Sequence, residues 1–279
     1  MEIADHATTD ASLQVSKWIA ADEPPPFSLV NATGRPPYLL LCDHASNRIP
    51  RRLGSLGLAA DDLDRHIAWD IGAATVARRL SVALDAPLFL AGYSRLVIDC
   101  NRPLGAAGSI VTVSEDSPIP GNRDLLPEEK AARAAIFFEP YHRAIAAFLD
   151  DRAARGAATG IVAVHSFTPV FHGRARPWHV GFSYRKDRRL PDALLALMRR
   201  DPRLVVGENQ PYPITLESDF AIPVHGEARG LSCALIEIRQ DLIAGEAGAA
   251  EWAARLTDAL RTIAASGIFS VAKHEESGG

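Results

Sequence analysis

The chain has 279 residues, 47% of them hydrophobic and 23% charged, with a formal net charge of −4 and a pI near 6.1. This composition excludes collagen-like, low-complexity and mostly disordered chains, and the slight negative charge offers no general attraction for nucleic acid or anionic membranes. Length alone leaves one large domain or two small ones open.

Residues 1–35 carry the run Pro24-Pro25-Pro26 and little periodicity, so they read as an extended arm with at most one short helix, lying over the body. The start, MEIADHATTD, lacks the basic residues and apolar stretch of a secretory signal, and no later run reaches the length that spans a bilayer. A cytoplasmic location is therefore the expectation. From there to residue 272, short apolar runs alternate with longer helical patterns. The runs at 38–42, 87–91, 95–99, 161–165 and 234–238 predict strands. Helices are predicted at 71–84, 127–155, 191–200 and 247–265, the last with Trp252, Leu256, Leu260 and Ile263 along one stripe. Pro127-Glu128-Glu129 suits a first helical turn, and Pro140 should kink or divide that helix.

Continuously apolar strands need cover on both faces. The expected fold is thus α/β, a mixed, mostly parallel central sheet with helices on both faces, in a single catalytic domain over 36–272 with a fraying tail at 273–279. Cys42, Cys100 and Cys233 are odd in number, far apart and set in apolar runs, which suits buried reduced thiols.

Polar residues collect where the apolar runs end, which is where open α/β sheets bind ligands. His44 follows 38–42 and His165 closes 161–165, and imidazoles from separate elements are usual ligands of catalytic zinc. Either could equally be a structural hydrogen-bonding residue. The third ligand is open: Asp70 either completes a two-histidine, one-carboxylate site or caps the helix predicted after it, and Asp43 and Asn47 compete with it.

Glu237 lies within an apolar strand, and a buried acid needs a partner. It either pairs with Arg239, which alternation sends to the same face, or serves as a general base tuned by burial and a nearby metal. Arg102, next to Asn101, presents a fork that fits a substrate carboxylate, or else pairs with Asp99 or a helix end; Arg95 is a second candidate. The polar segments 208–212 and 225–227 are placed to fold over the rim, with His225 either a solvated loop residue or a group that orients substrate.

Taken in order, LCDHASNRIP, RHIAWDIGA, YSRLVIDCNRP, AVHSFTP, GENQPY, HGE and LIEIRQDL, spanning 39–242, resemble the N-formylglutamate amidohydrolase family. The resemblance implies an architecture similar to zinc carboxypeptidases and aspartoacylases. Those proteins carry a metal histidine with an acidic ligand, an Asn-Arg pair, a second metal histidine and a late catalytic glutamate. By type and order these fall on His44, Asn101-Arg102, His165 and Glu237. The His-x-x-Glu spacing would put the acid at position 47, which is Asn47 here, so residues 47–69 are read as an inserted excursion that moves the ligand to Asp70.

The resemblance thus implies a metal-dependent amidohydrolase, with zinc the expected ion although another divalent metal would serve. His44, Asp70 and His165 would bind the metal, Glu237 would be catalytic, and Arg95, Asn101, Arg102 and His225 would bind substrate. The implied partner is a small molecule with a free carboxylate, N-formylglutamate first among them, with no nucleic acid or membrane. The alternatives are another N-acyl amino acid or peptide-like amide, or a non-catalytic carboxylate-binding module.

Overall fold

Runs such as Leu39-Leu40-Leu41 and Ile161-Val162-Ala163-Val164 have no solvent face to offer, so they settle in the middle of a layered structure. The computed structural model describes residues 18–35 and 37–269. Its strands are β1 (Phe27–Val30), β2 (Tyr38–Cys42), β3 (Leu88–Ala91), β4 (Gly160–Phe167), β5 (Val180–Ser183), β6 (Val206–Glu208) and β7 (Ser232–Arg239). They form one sheet in the order β1-β3-β2-β4-β7-β5-β6. The central strands β3, β2, β4 and β7 run parallel, while β1 pairs antiparallel with β3 and β5 antiparallel with β7. The sheet is mixed and mostly parallel, as expected.

The main helices are α1 (Ala73–Leu84), α2 (Pro127–Arg133), α3 (Glu139–Ala154), α4 (Arg189–Met198) and α5 (Glu246–Ala265). Alternate side chains of the central strands feed two cores. Leu40, Val162, Val164, Ala234 and Ile236 pack against α1, α4 and α5, and Trp252, Leu256, Leu260 and Ile263 form the predicted stripe. Leu39, Leu41, Ile161, Ala163 and Leu235 point the other way, onto Tyr141, Ile145 and Leu149 of α3 and onto Ala221 and Ile222. Cys42, Cys100 and Cys233 are free and buried. No helix among the described residues is long and apolar enough to cross a membrane.

Two expectations change. Within the segment read as an arm, residues 27–30 are the edge strand β1, in register with β3; residues 1–17 and the tail at 273–279 lie outside the described residues. Residues 95–99 form no strand. Their apolar side chains are buried, with Leu96 packing in one satellite cluster and Val97 and Ile98 in another. Their backbone carbonyls are claimed by side chains instead of a neighbouring strand: Asn122 Nδ2 donates to Leu96 O at 2.8 Å and Arg133 Nη1 to Val97 O at 3.0 Å. A buried carbonyl satisfied this way has no need of a sheet. Pro140 divides its helix as predicted: α2 runs into one π-helical turn, Ala134–Phe138, and resumes as α3 with the proline in its first turn.

A second π-helical turn, Ile222–Gly226, sets His225 against His142 of α3. His142 Nε2 lies 2.8 Å from Cys100 O, an acceptor only, so that nitrogen carries the proton and Nδ1 accepts from His225 Nε2 at 2.9 Å. His225 Nδ1 is left buried and unpartnered. Burial holds both rings neutral, pushing His142 down to about 4 and His225 to about 3. An unfolded histidine titrates near 6.5. The pair therefore adds stability that is complete above about pH 6.5 and lost as the pH falls towards about 4. Urea unfolding between pH 7 and 5 should show this loss, and a His225→Phe variant should show a shallower dependence.

Candidate metal centre and active site

Parallel strands end at one rim, and three of them bring the polar residues there. His44 stands just past β2, while His165 and Glu237 lie near the ends of β4 and β7, directly opposite each other in the register. Asp70 arrives by a separate route. The chain leaves the rim after Asn47 and returns with Asp70 N donating to His44 O at 3.0 Å. Gly72 then takes a left-handed conformation, φ 80°, as the residue before α1. A Cβ there would lie 2.3 Å from Ile243 O, so only glycine fits the turn. The Asp70 side chain makes no cap and is free for the rim.

One oxygen of that side chain gathers the site. Asp70 Oδ2 lies 2.8 Å from His165 Nδ1 and 3.3 Å from His44 Nδ1, and it also accepts from Ser166 N at 3.3 Å. The far side of each ring is held by another acid: His44 Nε2 is 2.7 Å from Asp99 Oδ1, and His165 Nε2 is 3.3 Å from Asp43 Oδ2. Tyr141 in turn donates to Asp43 at 2.8 Å, and Arg95 Nη2 to Asp99 at 2.7 Å.

His44, Asp70 and His165 are all buried, and their ligand atoms lie within 4.8 Å of one another. Two Nδ1 atoms and a carboxylate facing one point, each Nε2 braced by a carboxylate, is a donor set that fits a zinc ion. Asp43 thus sits behind His165, and Asn47 bonds Leu63 O at 3.0 Å, so neither rival for the third position faces that point.

Burial alone would neutralise these acids, but their partners prevail. The charge and hydrogen bonds of the two histidines hold Asp70 far below the usual carboxylate range, and Arg95 with His44 does the same for Asp99. Burial disfavours a charged His165, yet the hydrogen bonds of Asp43 and Asp70 raise its pKa well above the ordinary value. Glu237 differs. Its Oε2 is buried without a partner, and burial pushes its pKa up to about 7. The ion pair with Arg239 does not form, because Arg239 reaches past the strand end to Asp241 at 2.8 Å.

A cavity of about 590 Å³ opens over these groups, lined also by Arg95, Asn101, Arg102 and Tyr212. Arg102 pairs with Asp219 at 4.0 Å rather than with Asp99, and its Nη1 also bonds Ser218 O and Asn101 O, while the guanidinium lines the cavity. Asn101 is a clamp: its Oδ1 accepts from Phe220 N and Ala221 N, and its Nδ2 donates to Asp219 at 3.2 Å. Arg95 is tied to Asp99 and lies 3.6 Å from Asp70.

His225 is corrected: it is buried against His142 and takes no part in lining the cavity, because a π-helical turn, not an open loop, carries it inward. Of the segment 208–212, Tyr212 reaches the cavity while Glu208 pairs with Arg188 at 3.0 Å. The bracing role of Asp99 was missed, although an acid at the end of an otherwise apolar run was a signal of a buried partner.

The profile of the N-formylglutamate amidohydrolase family matches residues 36–244. A gene product of Agrobacterium tumefaciens, known from its crystal structure, is 38% identical with a TM-score of 0.87, over 89% of this chain and 98% of that one. The crystal structure of N-formylglutamate amidohydrolase from Ralstonia eutropha JMP134 shares the fold at 20% identity and a TM-score of 0.67, over 87% of this chain and 98% of that one. No curated protein matches the chain.

Proposed function

We infer, from the premise that this chain belongs to the N-formylglutamate amidohydrolase family, that it is a zinc-dependent hydrolase of small N-acyl amino acids. N-formylglutamate, cleaved to formate and glutamate, is the first substrate to test. The observation that carries this reading is the convergence of two imidazoles and one carboxylate beside an unpaired buried carboxyl in a single cavity.

His44 and His165 would hold the ion through Nδ1, and Asp70 through Oδ2. When bound, it supplies Lewis acidity, lowering the pKa of water and polarising a carbonyl. Asp99 and Asp43 keep the rings turned towards it. Glu237 takes the proton of the attacking water and passes it to the leaving nitrogen as the C–N bond breaks. Burial raises the Glu237 carboxyl to about 7, and with a divalent ion held at the site it would favour the ionised form that a base requires. Arg102 receives the substrate carboxylate and so fixes the amide at the attacking distance. Arg95 adds positive potential on the same wall.

The cavity favours a second reading of the substrate. Its volume of about 590 Å³ exceeds what a formyl amino acid fills, so larger N-acyl or peptide-like amides belong in the same assay.

Glu237→Gln should keep its zinc and lower kcat by about 10²- to 10⁴-fold, measured on a panel of N-formyl, N-acetyl and peptide amides. Full turnover by that variant would remove Glu237 as the base. Dialysis against a chelator should abolish turnover and added zinc restore it. Zinc affinity should fall with pH as protons return to the ligands, and Asp99→Asn should weaken it by about 10- to 100-fold in a chelator competition. Protein that neither retains zinc nor gains activity from it would favour a carboxylate-binding module.

A further inference from the structure

Beside the cavity, the short hairpin Val170–Phe171 and Arg174–Ala175 turns Arg176 inward until it is 9% exposed. Its guanidinium lies against three rings, 4.3 Å from the centroid of Phe171, 4.8 Å from Tyr212 and 5.9 Å from Phe167. It forms no ion pair with a carboxylate among the described residues. Other buried arginines give their N–H groups to backbone carbonyls and tie segments together, as Arg133 does with Val97 O and Arg152 with Tyr38 O. Arg176 gives its side-chain donors to two hydroxyls, Tyr212 Oη at 2.7 Å and Thr168 Oγ1 at 3.5 Å.

The two hydroxyls differ in what they do next. Thr168 Oγ1 donates its own hydrogen bond to Val170 O at 2.6 Å. Tyr212 finds no acceptor among the described residues, and it lines the cavity. It lines the same cavity as Glu237 and Arg95, and the charges of both act on its phenol.

Its position is fixed from below as well. Ser183 Oγ donates to Tyr212 O at 2.6 Å, and the chain before it rests on Gly181, where a Cβ would fall 1.7 Å from Gln210 O. Gly181 is the β5 neighbour of Glu237. The strand that carries the base thus pairs with the strand that seats the tyrosine.

We propose that Tyr212 donates a hydrogen bond to the acyl oxygen of the scissile amide as negative charge gathers there, and that Arg176 is the positioning residue that fixes and polarises it. The proposal rests on the amide-hydrolysis reading. A phenol that already accepts from a cation is a stronger donor through its own O–H, because successive hydrogen bonds polarise one another. Tyr212 keeps its proton throughout: water adds to the acyl carbon, the C–N bond breaks, and the proton travelling to nitrogen is carried by Glu237. A donor aimed at the developing charge acts on the transition state more than on the bound substrate.

The test uses the zinc-loaded full chain with Tyr212→Phe, Arg176→Met, Arg176→Lys and the Tyr212→Phe/Arg176→Met double variant, each checked by circular dichroism. Turnover of N-formyl-L-glutamate and the amide panel is measured. So is binding of 2-(phosphonomethyl)pentanedioate, whose tetrahedral phosphonate mimics the attacked acyl group, against binding of glutamate. Tyr212→Phe should lower kcat by about 10²- to 10³-fold with little change in KM, and weaken the phosphonate but not glutamate. Arg176→Met should lower kcat by up to about 10²-fold, and Arg176→Lys should recover part of that. The double variant should be no worse than Tyr212→Phe alone.

Wild-type kcat in Tyr212→Phe, equal phosphonate affinity with and without the phenol, or multiplicative losses in the double variant would each overturn the proposal. So would a wild-type chain that does not bind the phosphonate. A wild-type chain that binds it through Tyr212 but cleaves no amide would sink the hydrolase reading and leave the donor standing.

Discussion

The Asp70 carboxylate, lodged between two imidazoles, is the interaction on which the rest of the site depends. Its Oδ2 is shared by His44 Nδ1 and His165 Nδ1, so one atom ties the end of β2 to the end of β4 and brings back the excursion between them. Burying three ionised carboxylates, Asp43, Asp70 and Asp99, is costly unless positive charge accompanies them. The groups that meet them are the imidazoles of His44 and His165 and the guanidinium of Arg95. Glu237 is close enough to feel the same charges, and a divalent cation at the meeting point of the three donor atoms would add positive charge where these acids gather.

The sheet supplies the second constraint. Side chains alternate along a strand, so Ile161, Ala163 and His165 on β4 share a face with Cys233, Leu235 and Glu237 on β7. The same alternation that buries the apolar members under α3 lifts the polar members at the strand ends into the cavity. A slip of one residue would send Glu237 into the opposite core, among Ile236, Ile238 and Trp252. The register is therefore protected by the cores on both faces, and the placing of Glu237 opposite His165 is set by packing far from either.

This constraint explains what could be read from the sequence. Strands β2, β3, β4 and β7, the helices and the roles open to His44, Asp70, His165 and Glu237 were legible because each follows from local pattern or from order along the chain. Residues 95–99 were not, since an apolar run buried as a loop differs from a strand only in where its carbonyls bond, and those partners, Asn122 and Arg133, come from distant positions. How Asp70 reaches the two imidazoles depends on Gly72 and on the return of the chain to His44, a matter of tertiary geometry. Arg176 and Tyr212 lie in turn-rich segments whose arrangement depends on Gly181, and no periodicity announces it.

Histidine itself shows why residue type was an insufficient guide. His44 and His165 sit among acids, and that setting favours the charged ring of His165 and, with a cation present, the braced neutral ligand. His142 and His225, also packed beside the β2–β4–β7 core, lie against the rings of Phe138 and Phe220 and, among the described residues, hydrogen-bond to each other and to one backbone carbonyl, so burial keeps them neutral. The first pair stands with Asp70 as a donor set that could hold a metal ion; the second can only lose stability by gaining protons. The segment that bears His225 begins next to Asn101, whose side chain holds Phe220 N and Ala221 N while Arg102 holds Ser218 O. The neutral pair thus anchors, from behind, the wall of the cavity on which Arg102 rests.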